Sequence, residues 1–285
     1  MKVSIDRSCS GKGLYMFGID AGGTFIKYGS PEESFHMEPL PYEKSHIEEL
    51  FQRHSPPYLA TGAGAETIAN WFPEIEITIV SELLATGLGG AHLADVDKCI
   101  VINIGSGTPV LFADRTSKNV AHITGTGLGS ASLAGLSYYM TGIEDLGEIE
   151  EAALSGDPNR VNLLVRDVYK NTDLIDLPGD ITASNFGKYQ DWRHLSEEEK
   201  PNNHDLLAGL HRMVGETIAV IVNAVRGQFS EEELPVVITG GGTLNKALVE
   251  NLEYSFSFFK QPYVVPEQAV YSTLYGLFVV TNDRQ

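Results

Sequence analysis

Four glycine clusters hold most of the residues that could do chemistry. They are Asp20-Ala21-Gly22-Gly23-Thr24, Gly105-Ser106-Gly107-Thr108, Thr124-Gly125-Thr126-Gly127-Leu128-Gly129 and Gly240-Gly241-Gly242-Thr243-Leu244-Asn245. Adjacent glycines in a tight turn expose successive N–H groups, and such a concavity binds anions. In the second cluster, hydroxyl-bearing residues between glycines suit phosphate oxygens, because they donate without adding volume. Asp20 ends an apolar run and fits a Mg²⁺ ligand, directly or through water, while Lys27 lies within reach of a phosphate. The side-chain-free run Gly240-Gly241-Gly242 would let a flat adenine lie against backbone. Each cluster alone also fits an ordinary turn, and the Asp20 turn fits a capped hairpin equally well. All four together favour a nucleotide held between two lobes.

Two other glycine signatures fall short. The third cluster lacks GxGxxG spacing and is expected to follow a hairpin rather than join a strand directly to a helix, which counts against a dinucleotide fold. Gly11-Lys12-Gly13 lacks the first glycine and the Ser/Thr of a P-loop.

One carboxylate stands apart. Glu82 is expected to end a strand and open a helix, where it can face a cleft and take an alcohol proton during phosphoryl transfer. Taken alone, it fits better as a first-turn glutamate stabilised by the helix dipole.

The elements that must position these residues follow from local pattern. MFGID and FIKYG read as two strands around the first cluster, and KCIVINIG and VLFAD as two around the second. Helices are expected at 45–54, 65–71, 132–141, 146–155 and 158–170, and from Leu83 onward. A long helix over 204–229 carries Leu206, Leu207, Leu210, Val214, Ile218, Ile221 and Val225 at helical spacing. IEITIV (75–80), PVVIT and YVV read as strands, and the last twelve patterned residues as a closing helix. Two strand–glycine–strand hairpins thus each open a mixed α/β half, without a detectable sequence repeat. The acidic runs at 196–200 and 231–233 read as solvated loops or helix ends.

Composition narrows the class. With 20 basic against 38 acidic residues, the net charge of -18 excludes a phosphate-neutralising basic face, so neither nucleic acid nor an anionic membrane is an expected partner. Two cysteines among 285 residues make neither a disulfide framework nor a four-cysteine zinc site. The opening MKVSIDRSCSGKGLY has no apolar h-region, so a cytoplasmic protein is expected, with residues 1–15 as an N-terminal extension.

Gly18-Ile19-Asp20-Ala21-Gly22-Gly23-Thr24, Asn103-Ile104-Gly105-Ser106-Gly107-Thr108 and Thr239-Gly240-Gly241-Gly242 resemble the two phosphate motifs and the adenosine motif of the acetate/sugar kinase–Hsp70–actin superfamily. Within it the chain resembles the type II (eukaryotic-like) pantothenate kinases, most specifically through GDPNRVNLLVRDVYKNTDLIDLPGDITASNFGK at 156–188. The resemblance implies an α/β, two-lobed actin-like ATPase (ribonuclease H-like) fold. It would have mixed five-stranded sheets and a nucleotide in the interlobe cleft. Residues 16–96 would form the first lobe. Residues 97–285 would form the second, with the adenosine-binding and dimerisation elements. It implies ATP and Mg²⁺ as cofactors, with Asp20 at the metal and Gly22, Gly23, Thr24, Lys27, Gly105, Ser106, Gly107, Thr108, Gly125, Thr126, Gly127, Gly240, Gly241 and Gly242 around ATP. Glu82 becomes the base that deprotonates the primary hydroxyl of pantothenate. Ala183 falls in the block that reaches a neighbouring subunit's substrate, so a homodimer with composite sites is implied.

The chain departs from the family at the acceptor end. His122 stands where the family has an arginine for the pantothenate carboxylate, and Pro109 stands where a serine is usual. An arginine fork is always charged and can bind in two places, whereas histidine contacts through one nitrogen and is half charged near pH 6.5. These changes keep pantetheine in view as an acceptor. His122 also fits a plain core histidine. A sugar or amino-sugar kinase of the same superfamily, and a non-catalytic nucleotide or metabolite sensor, are the other readings.

Overall fold

A computed structural model describes residues 16–169, 177–229 and 234–281. They divide into two compact units, one ending at Ser81 and one beginning at Glu82. The expected extension at 1–15 and the acidic run at 231–233 lie outside the described residues.

In the first unit the apolar run before Asp20 forms β1 (Phe17–Ala21), buried throughout, and the glycine turn returns the chain as β2 (Phe25–Gly29). The pair is antiparallel, with Asp20 opposite Lys27. Strand β3 (Phe35–Pro39), which the sequence reading does not anticipate, adds antiparallel to β2. It is an edge strand containing Glu38 and Pro39, residues that strand propensity penalises. Helix α1 (Lys44–Arg53) buries Ile47, Leu50 and Phe51 on one face and crosses over to β4 (Tyr58–Thr61), parallel to β1. Helix α2 (Ala65–Trp71) then leads to β5 (Ile77–Ile79), parallel to β4. The sheet order is β3-β2-β1-β4-β5, and its core packs Phe17, Ile19 and Ile26 with Ile47, Leu50 and Ile68.

The second unit opens with α3 (Glu82–Leu93), followed by an antiparallel meander of β6 (Lys98–Asn103), β7 (Thr108–Asp114) and β8 (Asn119–Thr126). Next come α4 (Ser130–Thr141), α5 (Leu146–Ser155), β9 (Leu163–Leu164), α6 (Val165–Val168), β10 (Thr182–Ser184), α7 (Tyr189–Trp192) and the long α8 (Asn203–Arg226). Strand β11 (Val236–Thr239) is parallel to β6, and α9 (Lys246–Phe259) carries the chain to β12 (Tyr263–Val264), parallel to β11. Helix α10 (Ser272–Thr281) follows. The order β8-β7-β6-β11-β12 repeats that of the first unit. The stretch from α4 to α8 occupies the place of α1 alone, which makes the duplication hard to see in the sequence.

Strand β6 is covered on both faces. Ile100 and Ile102 meet Val214 and Ile218 of α8, while Cys99 and Val101 meet Ala91 of α3. Burial on both faces explains its unbroken apolar run. Burial also pushes the Cys99 thiol up to about 12, so it packs as a hydrophobe and stays protonated at neutral pH.

The expected helix at 158–170 does not form. A 3-10 turn at Pro158–Arg160 gives way to β9 and α6, and Lys170 lies outside the described residues. Tertiary hydrogen bonds override the local pattern. Arg160 pairs with Asp205 of α8 at 2.9 Å, and buried Asn162 accepts the Phe186 N–H at 2.9 Å.

Helix α3 follows β5 in the chain as α10 follows β12, yet it packs on β6, β7, β8, β11 and α10. It lies within residues 16–96, the first lobe that the resemblance implies, and belongs to the unit that begins at Glu82. The α3–α10 contact brings backbones together. A methyl at Gly89 would overlap the Ser272 carbonyl, and one at Gly276 would overlap that of Ala85. Backbone cannot yield as a flexible side chain does, so Gly276→Ala is expected to lower unfolding free energy by about 1–3 kcal/mol. Urea denaturation measures this, and an unchanged midpoint would contradict it.

Candidate active site

In the second unit, three glycine clusters converge at the C-terminal end of β6. The Gly105 N–H donates to Gly107 O at 2.9 Å and closes the first turn. Gly129 lies directly on that turn: a Cβ there would stand 2.6 Å from Gly105 O, and the Ser130 N–H donates to the same oxygen at 2.8 Å. Gly240 has φ +91, and a Cβ on it would stand 2.6 Å from Ile104 O. The Gly242 N–H then donates to Ile104 O at 2.7 Å. By contrast, among the described residues no atom beyond the chain neighbours lies within 4 Å of where a Cβ would stand on Gly241 or Gly127. These two stretches of backbone are open to a ligand.

The neighbouring residues divide by role. The Thr108 hydroxyl is buried and donates to Leu128 O at 2.7 Å, so it ties β7 to the third cluster. The Thr126 hydroxyl accepts the Leu128 N–H at 3.1 Å, and Ser106 is exposed at the turn. Gly125 pairs with Pro109, and a Cβ on it would stand 2.9 Å from Thr108 O. The third cluster does join a strand directly to a helix, β8 to α4, contrary to the sequence expectation. Strand β8 is an antiparallel edge strand, however, and not part of a parallel β-α-β unit, so the dinucleotide reading still fails.

The first unit builds a counterpart. Gly62 follows β4 as Gly240 follows β11, with φ +86 and a Cβ position 2.5 Å from Ala21 O. The Gly64 N–H donates to Ala21 O at 3.0 Å, as that of Gly242 does to Ile104 O. Thr61-Gly62-Ala63-Gly64 and Thr239-Gly240-Gly241-Gly242 are thus one device used twice. The sequence reading assigned no role to the first copy; the shared Thr-Gly-x-Gly after a buried strand is the signal that reveals it. In this copy, the Tyr42 hydroxyl fills the space beside Gly64.

Asp20 is buried, and its Oδ2 pairs with Lys27 Nζ at 3.0 Å. The antiparallel register sets this contact, because the two residues are cross-strand partners. Gly22 sits tight in the turn, with a Cβ position 3.0 Å from Phe25 O, while Gly23 and Thr24 are exposed at its tip. Glu82 is the exposed first residue of α3. The chain just before it is pinned in the first unit: the Val80 N–H donates to Ala60 O at 2.9 Å, and Val80 O accepts the Thr61 hydroxyl at 2.8 Å.

His122 is exposed on β8 opposite Leu111, which removes the core-histidine reading. The register shifts between Val110 and Leu111, whose partners Thr124 and His122 leave Ile123 as an extra residue in β8. Pro109 lies one residue beyond the last β6–β7 pair, Ile102 with Val110, where a ladder N–H to β6 is not needed. Ala183 is exposed on β10, in the two-stranded sheet with β9. Its neighbours Thr182 and Asn185 donate to the two carboxylate oxygens of Glu216, at 2.6 and 3.0 Å. Ala183 therefore lies on a different sheet from His122 and Pro109.

Residues 92–269 match the Fumble family. The type II pantothenate kinase of Staphylococcus aureus (strain USA300) is 30% identical over 274 residues, spanning 92% of this chain and 98% of that protein. The chain belongs to the Fumble family of type II pantothenate kinases. Among solved structures, it resembles the activator of the 2-hydroxyisocaproyl-CoA dehydratase from Clostridium difficile with bound ADPNP. The TM-score is 0.63 at 16% identity, covering 95% of each chain. A ROK family glucokinase from Streptomyces griseus, in complex with glucose and AMPPNP, gives a TM-score of 0.54 at 11% identity, covering 93% of this chain and 98% of that one. These likenesses show the actin-like ATPase fold.

Gly240 gives a direct test of the convergent turns. Its backbone region is open essentially to glycine alone, at a cost of about 1–3 kcal/mol for other residues. Gly240→Ala is expected to lower stability by that amount in urea denaturation. Wild-type stability in this variant would show that the turn does not depend on the close approach.

Proposed function

We propose that the chain is an ATP-dependent kinase that phosphorylates the primary hydroxyl of pantothenate, the first step of coenzyme A biosynthesis, or of a close derivative such as pantetheine. The observation that carries this reading is the convergence of three glycine turns at the end of β6, with open backbone at Gly127 and Gly241. In this reading Gly105, Ser106, Gly107, Gly125, Thr126 and Gly127 serve the phosphates, and Gly240, Gly241 and Gly242 face the adenine. Thr108 acts through the turn it holds. The first unit adds Gly22, Gly23 and Thr24.

A kinase Mg²⁺ rides on the nucleotide phosphates and needs only one or two carboxylates, so Asp20 fits as its protein contact. Among the described residues there is no group of three or more His, Cys, Asp or Glu side chains that could hold a metal ion by themselves. When bound, the ion supplies charge neutralisation at the phosphates. The Lys27 ammonium keeps the Asp20 carboxylate in place and remains within reach of a phosphate.

Glu82 is the base. The acceptor's hydroxyl oxygen attacks the γ-phosphorus, the bond from that phosphorus to the ADP oxygen breaks, and Glu82 takes the hydroxyl proton. It is the first residue of the twelve-residue helix α3, where the helix N-terminus favours negative charge. His122 and Pro109 face the acceptor, and Ala183 reaches the acceptor of the partner subunit in a cytoplasmic homodimer. Among the described residues, no helix is long and apolar enough to cross a membrane.

Glu82→Gln is expected to cut turnover by about a hundred- to ten-thousand-fold while leaving ATP affinity unchanged. Steady-state assay with a coupled ADP readout, beside equilibrium ATP binding, checks both halves. Near-normal turnover would sink the role of Glu82. His122→Arg is expected to shift the kcat/KM ratio of pantothenate over pantetheine upward by about tenfold, since a charged, bidentate partner for the carboxylate replaces a single contact. An unchanged ratio would remove His122 from the acceptor site.

A further inference from the structure

The turn assigned above to adenine is tied to the interior of the second unit through one buried histidine. His211 of α8 is wholly buried; its Nδ1 lies 2.8 Å from Leu207 O, and its Nε2 lies 3.2 Å from Asn245 Nδ2. Asn245 immediately follows the 3-10 turn Gly241–Leu244 and caps α9, its Oδ1 accepting the Leu248 N–H at 2.8 Å.

Two backbone groups dictate every proton in this chain. The Leu248 N–H can only donate, so the Asn245 oxygen must face it and the Asn245 amide NH₂ must face His211. That NH₂ can only donate, so Nε2 must be the unprotonated, accepting nitrogen. The proton of the neutral imidazole then sits on Nδ1, facing the Leu207 carbonyl, which can only accept. An inverted Asn245 would set NH₂ against N–H, so the arrangement has one solution. Burial holds the His211 pKa below the ordinary histidine value. Among the described residues, the charged group acting on the imidazole is Glu150 of α5. Its carboxylate accepts the Lys246 N–H at 2.8 Å and so anchors the same helix start from the other side.

We propose that His211 is a positioning residue for the nucleotide: as the neutral Nδ1–H tautomer it holds Asn245, and through Asn245 the Gly240–Leu244 turn against which the adenine lies. This rests on the kinase reading above. The histidine touches no substrate; it acts by removing the freedom of a turn whose first three residues are glycines.

The test measures ATP dissociation constants directly, together with KM for ATP and for the acceptor, in the full-length protein. His211→Leu removes the accepting nitrogen. Asn245→Ser keeps a residue that caps α9 but is too short to reach His211, so it remains informative if the leucine variant fails to fold. Each is expected to weaken ATP binding about tenfold, with the acceptor KM unchanged. The double variant should lose no more than either single one, as for two members of one linkage. His211→Gln, which can return an acceptor near the Nε2 position, is expected to recover most of the affinity. Unchanged ATP binding in Asn245→Ser, or an equal rise in both KM values, would overturn the inference while leaving the kinase reading intact. A wild-type protein that binds no ATP would overturn that reading and the inference with it.

Discussion

The architecture depends on one repeated close approach of backbone to backbone. In each unit, the carbonyl at the end of the central hairpin strand (Ala21 in one, Ile104 in the other) accepts an N–H from the turn that follows the neighbouring parallel strand. A buried carbonyl must find a donor. The donor can come close only because the residue after the parallel strand is a glycine at positive φ, Gly62 or Gly240. Any side chain there would strike the carbonyl. The same glycines bring the following helix close to the strand end and leave bare backbone at its rim.

The two copies of this device have diverged in what surrounds them. In the second unit Gly241 has Ala63 as its counterpart, and beside the glycine that follows stands the Ile104 side chain at Gly242 but the Tyr42 hydroxyl at Gly64. The residues ahead of the two carbonyls differ in the same spirit. Asp20 holds a charge and a lysine partner, while Asn103 is neutral and receives a hydrogen bond from Thr239 at 3.2 Å. The overall charge of -18 is no obstacle, because the groups that would meet an anion are amides fixed by the fold.

Legibility from sequence followed how local the determining interactions are. Helix α2 over Ala65–Trp71 and α5 over Leu146–Ser155 fall where the helical pattern and their end signals put them. Helix α5 even carries its own cap, Asp145 accepting the Gly147 and Glu148 N–H groups. Strands β3 and β8 escaped notice because an edge strand needs little apolar character; Glu38, Pro39 and His122 are acceptable there and atypical elsewhere. The segment 158–170 misled for the opposite reason. Its helical pattern is genuine, but Asp205, Glu216 and Asn162 supply hydrogen bonds that pin the block in another shape. Thr108 reads as a phosphate ligand by its place at the end of a glycine cluster, and only the position of Leu128 shows that its hydroxyl is already used.

The sequence by itself determined that glycine-rich turns end buried strands, that Asp20 and Glu82 are the carboxylates placed at such ends, and that the halves share a plan. Those features rest on residue type and on spacing within a few positions, where sterics and periodicity act directly. Tertiary structure alone decided which turns meet, because Gly105, Gly129 and Gly240 are far apart in the chain and are joined by the order of strands in one sheet. It also decided that Asp20 pairs with Lys27, that His122 faces outward, and that His211 takes one tautomer. Each of these depends on a partner supplied by a different element, and no local pattern encodes where that partner will be.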